Sequence, residues 1–114
     1  MEERFIQQLK KGVLEMLVLE AVCRKDTYGY ELLTTLREAS GGLFTLKEGT
    51  LYPILYRLED DGMIASSWSK PEGRTAPKKM YAATEQGREA RLRQRQVWKD
   101  FTGAVDGFYR EESE

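Results

Sequence analysis

Three observations predict a mainly α-helical chain with a two-stranded β-hairpin and one long C-terminal helix. Residues 49–64, Gly-Thr-Leu-Tyr-Pro-Ile-Leu-Tyr-Arg-Leu-Glu-Asp-Asp-Gly-Met-Ile, join a helix to a strand. In that segment Leu51, Leu55 and Leu58 mark one helix face, while Tyr52, Tyr56 and Arg57 project elsewhere, free to meet a partner. The stretch from Ser69 to Lys79 sets Lys70, Arg74, Lys78 and Lys79 against the single acid Glu72. Beyond Thr84, a sustained helical pattern runs to about Tyr109.

The first helix is expected from about Gln7 to Arg24, with Val13, Leu14, Leu17, Val18, Ala21 and Val22 as a wide apolar stripe. Leu9, Met16 and Cys23 fall on a second side, so this helix is expected to be buried on two faces. Asp26 or Thr27 is placed to cap a second helix reaching about Ser40, with Leu32, Leu33 and Leu36 inward and Gly41-Gly42 ending it. Thr45 and Glu48 have capping-box spacing, which starts a third helix near residues 45–47. Pro53 then removes one hydrogen bond and clashes with the Gly49 carbonyl, predicting a bend or a regular helix beginning only near Thr50. Gly62 supplies the positive-φ stop.

Ile64–Ser69 and Lys78–Ala83 read as the two strands of a hairpin, and Pro71, Gly73 and Pro77 are expected to keep the loop between them unpaired. Thr84 caps the fourth helix, whose Ala90, Gln94, Val97, Phe101, Ala104 and Phe108 recur at four, three, four, three, four. That spacing is the seam of a packed helix pair, which a lone helix does not require. Three helices, a hairpin and one long helix form the order of a winged helix-turn-helix with an added dimerisation arm. The expected division is a DNA-binding region over 1–83, and a dimerisation helix with acidic tail over 84–114, packed as one compact domain.

Composition narrows the function. A chain of 114 residues buries roughly two-thirds of the surface its unfolded form exposes. Cys23 is the only cysteine, so no intramolecular disulfide forms, and its apolar setting fits a small core residue in a reducing compartment. Histidine is absent, which removes the commonest general base and metal ligand. An enzyme is therefore not expected, and neither is a cofactor. The apolar run near Val13–Val22 is interrupted by Glu15 and Glu20 and is too short to span a bilayer, so a cytoplasmic protein without membrane partners is expected. Net charge is −1, but acids gather at the ends while residues 70–79 and 88–99 are basic. A local positive field of that kind can displace counterions from phosphate.

The chain resembles the PadR family of bacterial transcriptional regulators, in the short branch that ends in a single helix. The resemblance runs from Gly12 to about Tyr109 and rests on Tyr28-Gly29-Tyr30-Glu31-Leu32, Gly49-Thr-Leu-Tyr-Pro, Arg57-Leu-Glu, Gly62-Met-Ile, Gly73-Arg74, Lys78-Lys79-Met-Tyr81 and Thr84-Glu85-Gln86-Gly87. Each piece alone is weak; their order and spacing are specific. Met80 and Ala82-Ala83 depart from the family pattern, and Thr75–Pro77 alters the hairpin loop. The resemblance implies a homodimer on a palindromic operator in double-stranded DNA, usually a repressor released by a small molecule. It places the third helix in the major groove and the wing along the backbone or minor groove. The alternative is a winged-helix module that binds another protein and no nucleic acid.

Candidate DNA contacts are Lys47, Thr50 and Tyr52 at the start of the third helix, where free N–H groups and partial positive charge favour phosphate. Arg74, Lys78 and Lys79 are the candidates in the wing. A half-buried aromatic is the competing reading of Tyr52, and an intrahelical pair with Asp60 or Asp61 that of Arg57. Arg88, Arg91, Arg93 and Arg95 point in several directions and read as a solvated face pairing with acids of a second chain. Val97, Phe101, Ala104 and Phe108 are the candidate dimer interface. By the same resemblance Trp98 matches a tryptophan that lines a drug cavity between subunits, with Leu9 and Met16 as its floor. A small planar aromatic effector is the implied ligand; a tryptophan packed in the dimer core is the plainer reading.

Overall fold

The computed structural model describes residues 2–113, with side chains as far as Arg110. Glu114 and the side chains of Glu111 and Glu112, part of the expected acidic tail, lie outside the described residues. The elements run α1 (Glu3–Lys11), α2 (Leu14–Arg24), β1 (Thr27–Tyr28), α3 (Gly29–Ala39), α4 (Glu48–Asp60), β2 (Ile64–Trp68), β3 (Lys79–Ala83) and α5 (Glu85–Ser113). The strands form one antiparallel sheet in the order β1-β3-β2.

The expected first helix is two helices. At Gly12 and Val13 the backbone bonds reach back three residues, to Leu9 and Lys10, which tightens the turn and ends α1. Glycine costs about 1 kcal/mol in a helix interior and valine is stiff at χ1, so the chain breaks where propensity is poorest. Only α2 enters the core, through Val18, Leu19 and Val22, while α1 buries no residue.

The strand at Thr27–Tyr28 is not visible in the sequence pattern because it is two residues long. It pairs Thr27 with Tyr81 and Tyr28 with Met80, making a three-stranded sheet of the expected hairpin. Neither Asp26 nor Thr27 caps α3; Tyr28 holds that position in extended conformation with no side-chain cap bond. The Thr27 hydroxyl instead donates to the Glu31 carboxylate at 2.7 Å, and this bond, followed by that from Lys25, holds Glu31 below the usual carboxylate range.

The capping box at Thr45 does not form either. The Thr45 hydroxyl donates to the Gly42 carbonyl at 2.8 Å, and α4 begins at Glu48 behind an extended Lys47. Pro53 lies inside that helix and the regular part does not wait for Thr50. Gly49 and Pro53 are both exposed, so the carbonyl that loses its partner faces solvent, where the loss is cheap. Leu51, Ile54, Leu55 and Leu58 fill the core from this helix, joined by Leu32, Leu36, Ile64, Tyr81 and Ala90.

Gly62 takes φ +77° after α4 as expected. The wing loop is less open than its prolines suggested. Glu72 and Thr75 form an isolated bridge around Gly73, whose φ is +57°, and the Lys78 N–H donates to Ser69 Oγ at 2.8 Å.

The root of α5 is bolted to the end of α4. Thr84 Oγ1 accepts the Gly87 N–H at 3.0 Å and donates to the Gly62 carbonyl at 2.6 Å, while Gln86 Nε2 reaches the Asp61 carbonyl at 3.3 Å. A Cβ at Gly87 would drive into the Met63 carbonyl. Along α2 and α5, Cys23 Sγ sits 3.9 Å from the Gly87 carbonyl and Arg91 Nε donates to Glu20 at 2.6 Å, so the two helices run antiparallel. Burial pushes the Cys23 thiol up, as suits a packed cysteine. Burial also works to raise the Glu20 carboxyl, but hydrogen bonds and charge from Arg91 and Arg24 outweigh it and the net shift is downward. Arg91 therefore pairs within its own chain, contrary to the expected interchain role. The radius of gyration, 16.7 Å, exceeds the ~13 Å of a compact chain this size, because α5 projects well past the core.

Candidate nucleic-acid interface

Four of the sequence-derived DNA candidates stand on exposed surface. Lys47 and Thr50 are exposed at the start of α4, and Arg74 and Lys78 are exposed on the wing. Lys78 Nζ rests 4.3 Å from the centroid of the Tyr28 ring, and Lys79 Nζ lies 5.8 Å from the Tyr56 ring and 5.7 Å from the Tyr81 ring. These contacts hold the lysines by their attraction to ring faces while leaving their donors available. Because Tyr56 belongs to α4 and is 51% exposed, Lys79 joins the wing to the open side of that helix.

Tyr52 is half-buried, with its hydroxyl end against Gly29 in the space a side chain there would occupy. Its ring lies 6.2 Å from that of Tyr56, tilted by 36°. Packing between α3 and α4 is thus the first duty of Tyr52. Arg57 pairs with neither Asp60 nor Asp61; its Nε donates to Glu15 on α2 at 2.6 Å. Periodicity could not reveal that partner, which lies 42 residues away.

Two hollows lie beside these residues. One, of about 500 Å³, is lined by Lys11, Glu15, Gly49, Thr50, Pro53 and Arg57 among others. It brings Lys11 to the start of α4, an addition the sequence conceals because its pattern predicts Lys11 inside one continuous helix. The other, of about 270 Å³, lies under the wing between Tyr28, Lys70, Lys78 and Met80. Neither is lined by Leu9, Met16 or Trp98. Leu9 is on α1 and 57% exposed, Met16 is half-buried on α2, and Trp98 is half-buried on α5.

The α5 seam changes character along its length. Ala90 is buried; Gln94 Oε1 is buried with no hydrogen-bond partner among the described residues; Val97, Phe101 and Phe108 are 65%, 63% and 77% exposed. Among the described residues no group of His, Cys, Asp and Glu could hold a metal, and no helix is long and apolar enough to cross a membrane.

Residues 18–93 match the model of the transcriptional regulator PadR-like family. The chain belongs to the PadR family. That family is one of transcriptional regulators. It is 34% identical over 76 residues to the transcriptional regulator YqjI of Escherichia coli, a match covering 67% of this chain and 34% of that protein. It is 29% identical over 77 residues to the negative transcriptional regulator PadR of Bacillus subtilis, covering 68% of this chain and 42% of that one. The match thus spans about a third of one relative's length and about two fifths of the other's. A crystal structure of a PadR family transcriptional regulator from Eggerthella lenta superposes with TM-score 0.82 at 30% identity, over 93% of this chain and 89% of that one. The PadR winged-helix fold is therefore shared along nearly the whole chain, α5 included.

Proposed function

We propose that this PadR-family chain acts as a homodimeric repressor, with residues 1–83 reading DNA and residues 84–114 pairing two copies. The observation that carries the reading is the placement of Lys79 against Tyr56, which makes the wing and the open side of α4 one surface. On it Lys47 and Thr50 meet the duplex from α4, with Tyr52 at its edge, and Arg74, Lys78 and Lys79 meet the backbone from the wing. Lysines position the protein through phosphate; base discrimination falls to Thr50 and the backbone near Gly49. The exposed seam of Val97, Phe101, Ala104 and Phe108 supports pairing through α5, which sets two α4 helices about 34 Å apart for one DNA turn. The name of the B. subtilis relative, a negative regulator, supports repression.

A small planar aromatic effector is part of the same proposal. Trp98 stands beside the open seam, and a second α5 brings two indoles near each other, with Leu9 and Met16 alongside. Stacking and apolar burial would then hold a flat ligand. Gel-shift with a duplex from the protein's own promoter region, with sedimentation of the free protein, tests the core of the reading. Retardation at low salt by a dimer is expected; a monomer that retards no duplex would turn the reading towards a protein partner.

A further inference from the structure

Trp68 ends β2 with 69% of its surface exposed, a large apolar area to leave open on a polar wing. Strand alternation fixes its direction. Ile64 is in the core and Ser66 donates from its hydroxyl to Glu59 of α4 at 2.6 Å, so Trp68, two residues on, shares the face turned towards α4. The register sets Trp68 directly opposite Lys79, whose ammonium lies by the Tyr56 ring of α4. Trp68, Lys79 and Tyr56 thus stand on the side where wing meets helix, the ammonium beside the tyrosine ring and its residue directly across the strand pair from the tryptophan. The acid Glu59 is held at the inner end by Ser66, while Lys70, Arg74 and Lys78 lie outward of Lys79 along the wing.

A duplex strand alternates anionic phosphate with apolar deoxyribose, and an ammonium next to exposed aromatic rings offers the complementary alternation. We propose that Trp68 is a DNA-binding residue: its indole packs on a deoxyribose of the strand whose phosphate Lys79 holds, with Tyr56 on the far side. The proposal rests on the placement of helix and wing given above, and it adds a contact of a different kind from the lysines. The indole is planar and orders at low entropic cost. Being uncharged, it releases no counterion, so it adds affinity without adding to the salt dependence.

The full chain is compared with Trp68→Phe and Trp68→Ala by filter binding to a promoter duplex across a salt series, and by acrylamide quenching with and without DNA. Trp68→Ala is expected to weaken binding about tenfold at every salt concentration, giving a line parallel to that of the unmutated chain. Trp68→Phe should retain most of the affinity, and DNA should shield part of the tryptophan emission in the unmutated chain but not in Trp68→Phe. Thermal melting unchanged in both variants separates contact from misfolding. DNA bound with emission unshielded, or an alanine variant within about twofold of the original, overturns the role of Trp68 and leaves DNA binding standing. Failure of the unmutated chain to hold any duplex at low salt removes both.

Discussion

Arg57 on α4 donates from Nε to Glu15 Oε1 at 2.6 Å, tying the candidate reading helix to the first turn of α2. Both side chains are half or more exposed, at 58% and 50%, so water screens the pair and its worth is about 0.2–1 kcal/mol. Its location matters more than its strength, because both residues line the hollow shared with Thr50 and Lys11. Glu15→Gln is expected to leave the melting temperature within a few degrees while raising DNA affinity at low salt, as an acid leaves a basic surface. The gain should shrink as salt is added. Unchanged affinity would confine Arg57 to holding α4 in place.

Lys78→Ala combined with Lys79→Ala is expected to lower the slope of log affinity against log salt by up to about 2, since each lysine that holds a phosphate displaces close to one counterion. Stability should change little, because the ring contacts of Lys78 and Lys79 are modest at partly exposed sites. A slope equal to that of the parent chain would take the wing off the DNA.

Much of this architecture was legible in the sequence because it is written in periodicity and turn residues. The stripe of Leu51, Leu55 and Leu58, the stop at Gly62 and the Thr84 cap all act within a few residues of themselves. What was hidden is set by competition between partners, some far along the chain and some close by. Thr27 looks like a helix cap until β3 arrives to pair with it, and Thr45 loses its capping role to a nearer carbonyl at Gly42. Of the candidate site, the exposed cations were readable by type and clustering. The packing of Tyr52 on Gly29 and the approach of Lys11 to Thr50 depend on tertiary placement that no local pattern encodes.

Gly87→Ala offers a test in which two effects oppose each other. Helix propensity favours alanine by about 1 kcal/mol, but the new Cβ meets the backbone carbonyl of Met63, which cannot rotate away as a side chain can. Overpacking at such a site costs about 1–3 kcal/mol, so net destabilisation is expected by urea denaturation. Gly103→Ala, with nothing within 4 Å of the added atom, should instead be neutral or stabilising.

Burial pushes the Tyr81 phenol up to about 12 from an ordinary value of 10, with smaller contributions from Tyr56, Glu59 and Tyr52. The folded chain therefore keeps this proton when the unfolded chain releases it. Stability from this group is complete below pH 10 and declines between about pH 10 and 12, at roughly 1.4 kcal/mol per unit. Among the described residues no group hydrogen-bonds the hydroxyl, so Tyr81→Phe should cost little at neutral pH and should flatten the alkaline decline. Stability measured by denaturant at pH 8 and 11 checks both parts.

Phe101→Lys places a charge on the exposed seam of α5, where Phe101 is 63% accessible in the single chain. Secondary structure should be retained, since lysine is the better helix former, while sedimentation should shift from dimer to monomer. Operator binding should fall with it, because one head gains nothing from the second half-site. A variant that remains dimeric would move the pairing surface away from this seam.

The 29 residues of α5 make a rod about 43 Å long, clamped at its root by Thr84, Gln86, Gly87, Ala90 and the Glu20–Arg91 pair. Such a rod is a cantilever, in which a tilt of 5° at the clamp carries the tip by roughly 4 Å. Small side-chain adjustments where α5 leaves Met63 thereby become ångström-scale displacements of its tip relative to the core, a mechanical advantage set by the length of the helix alone.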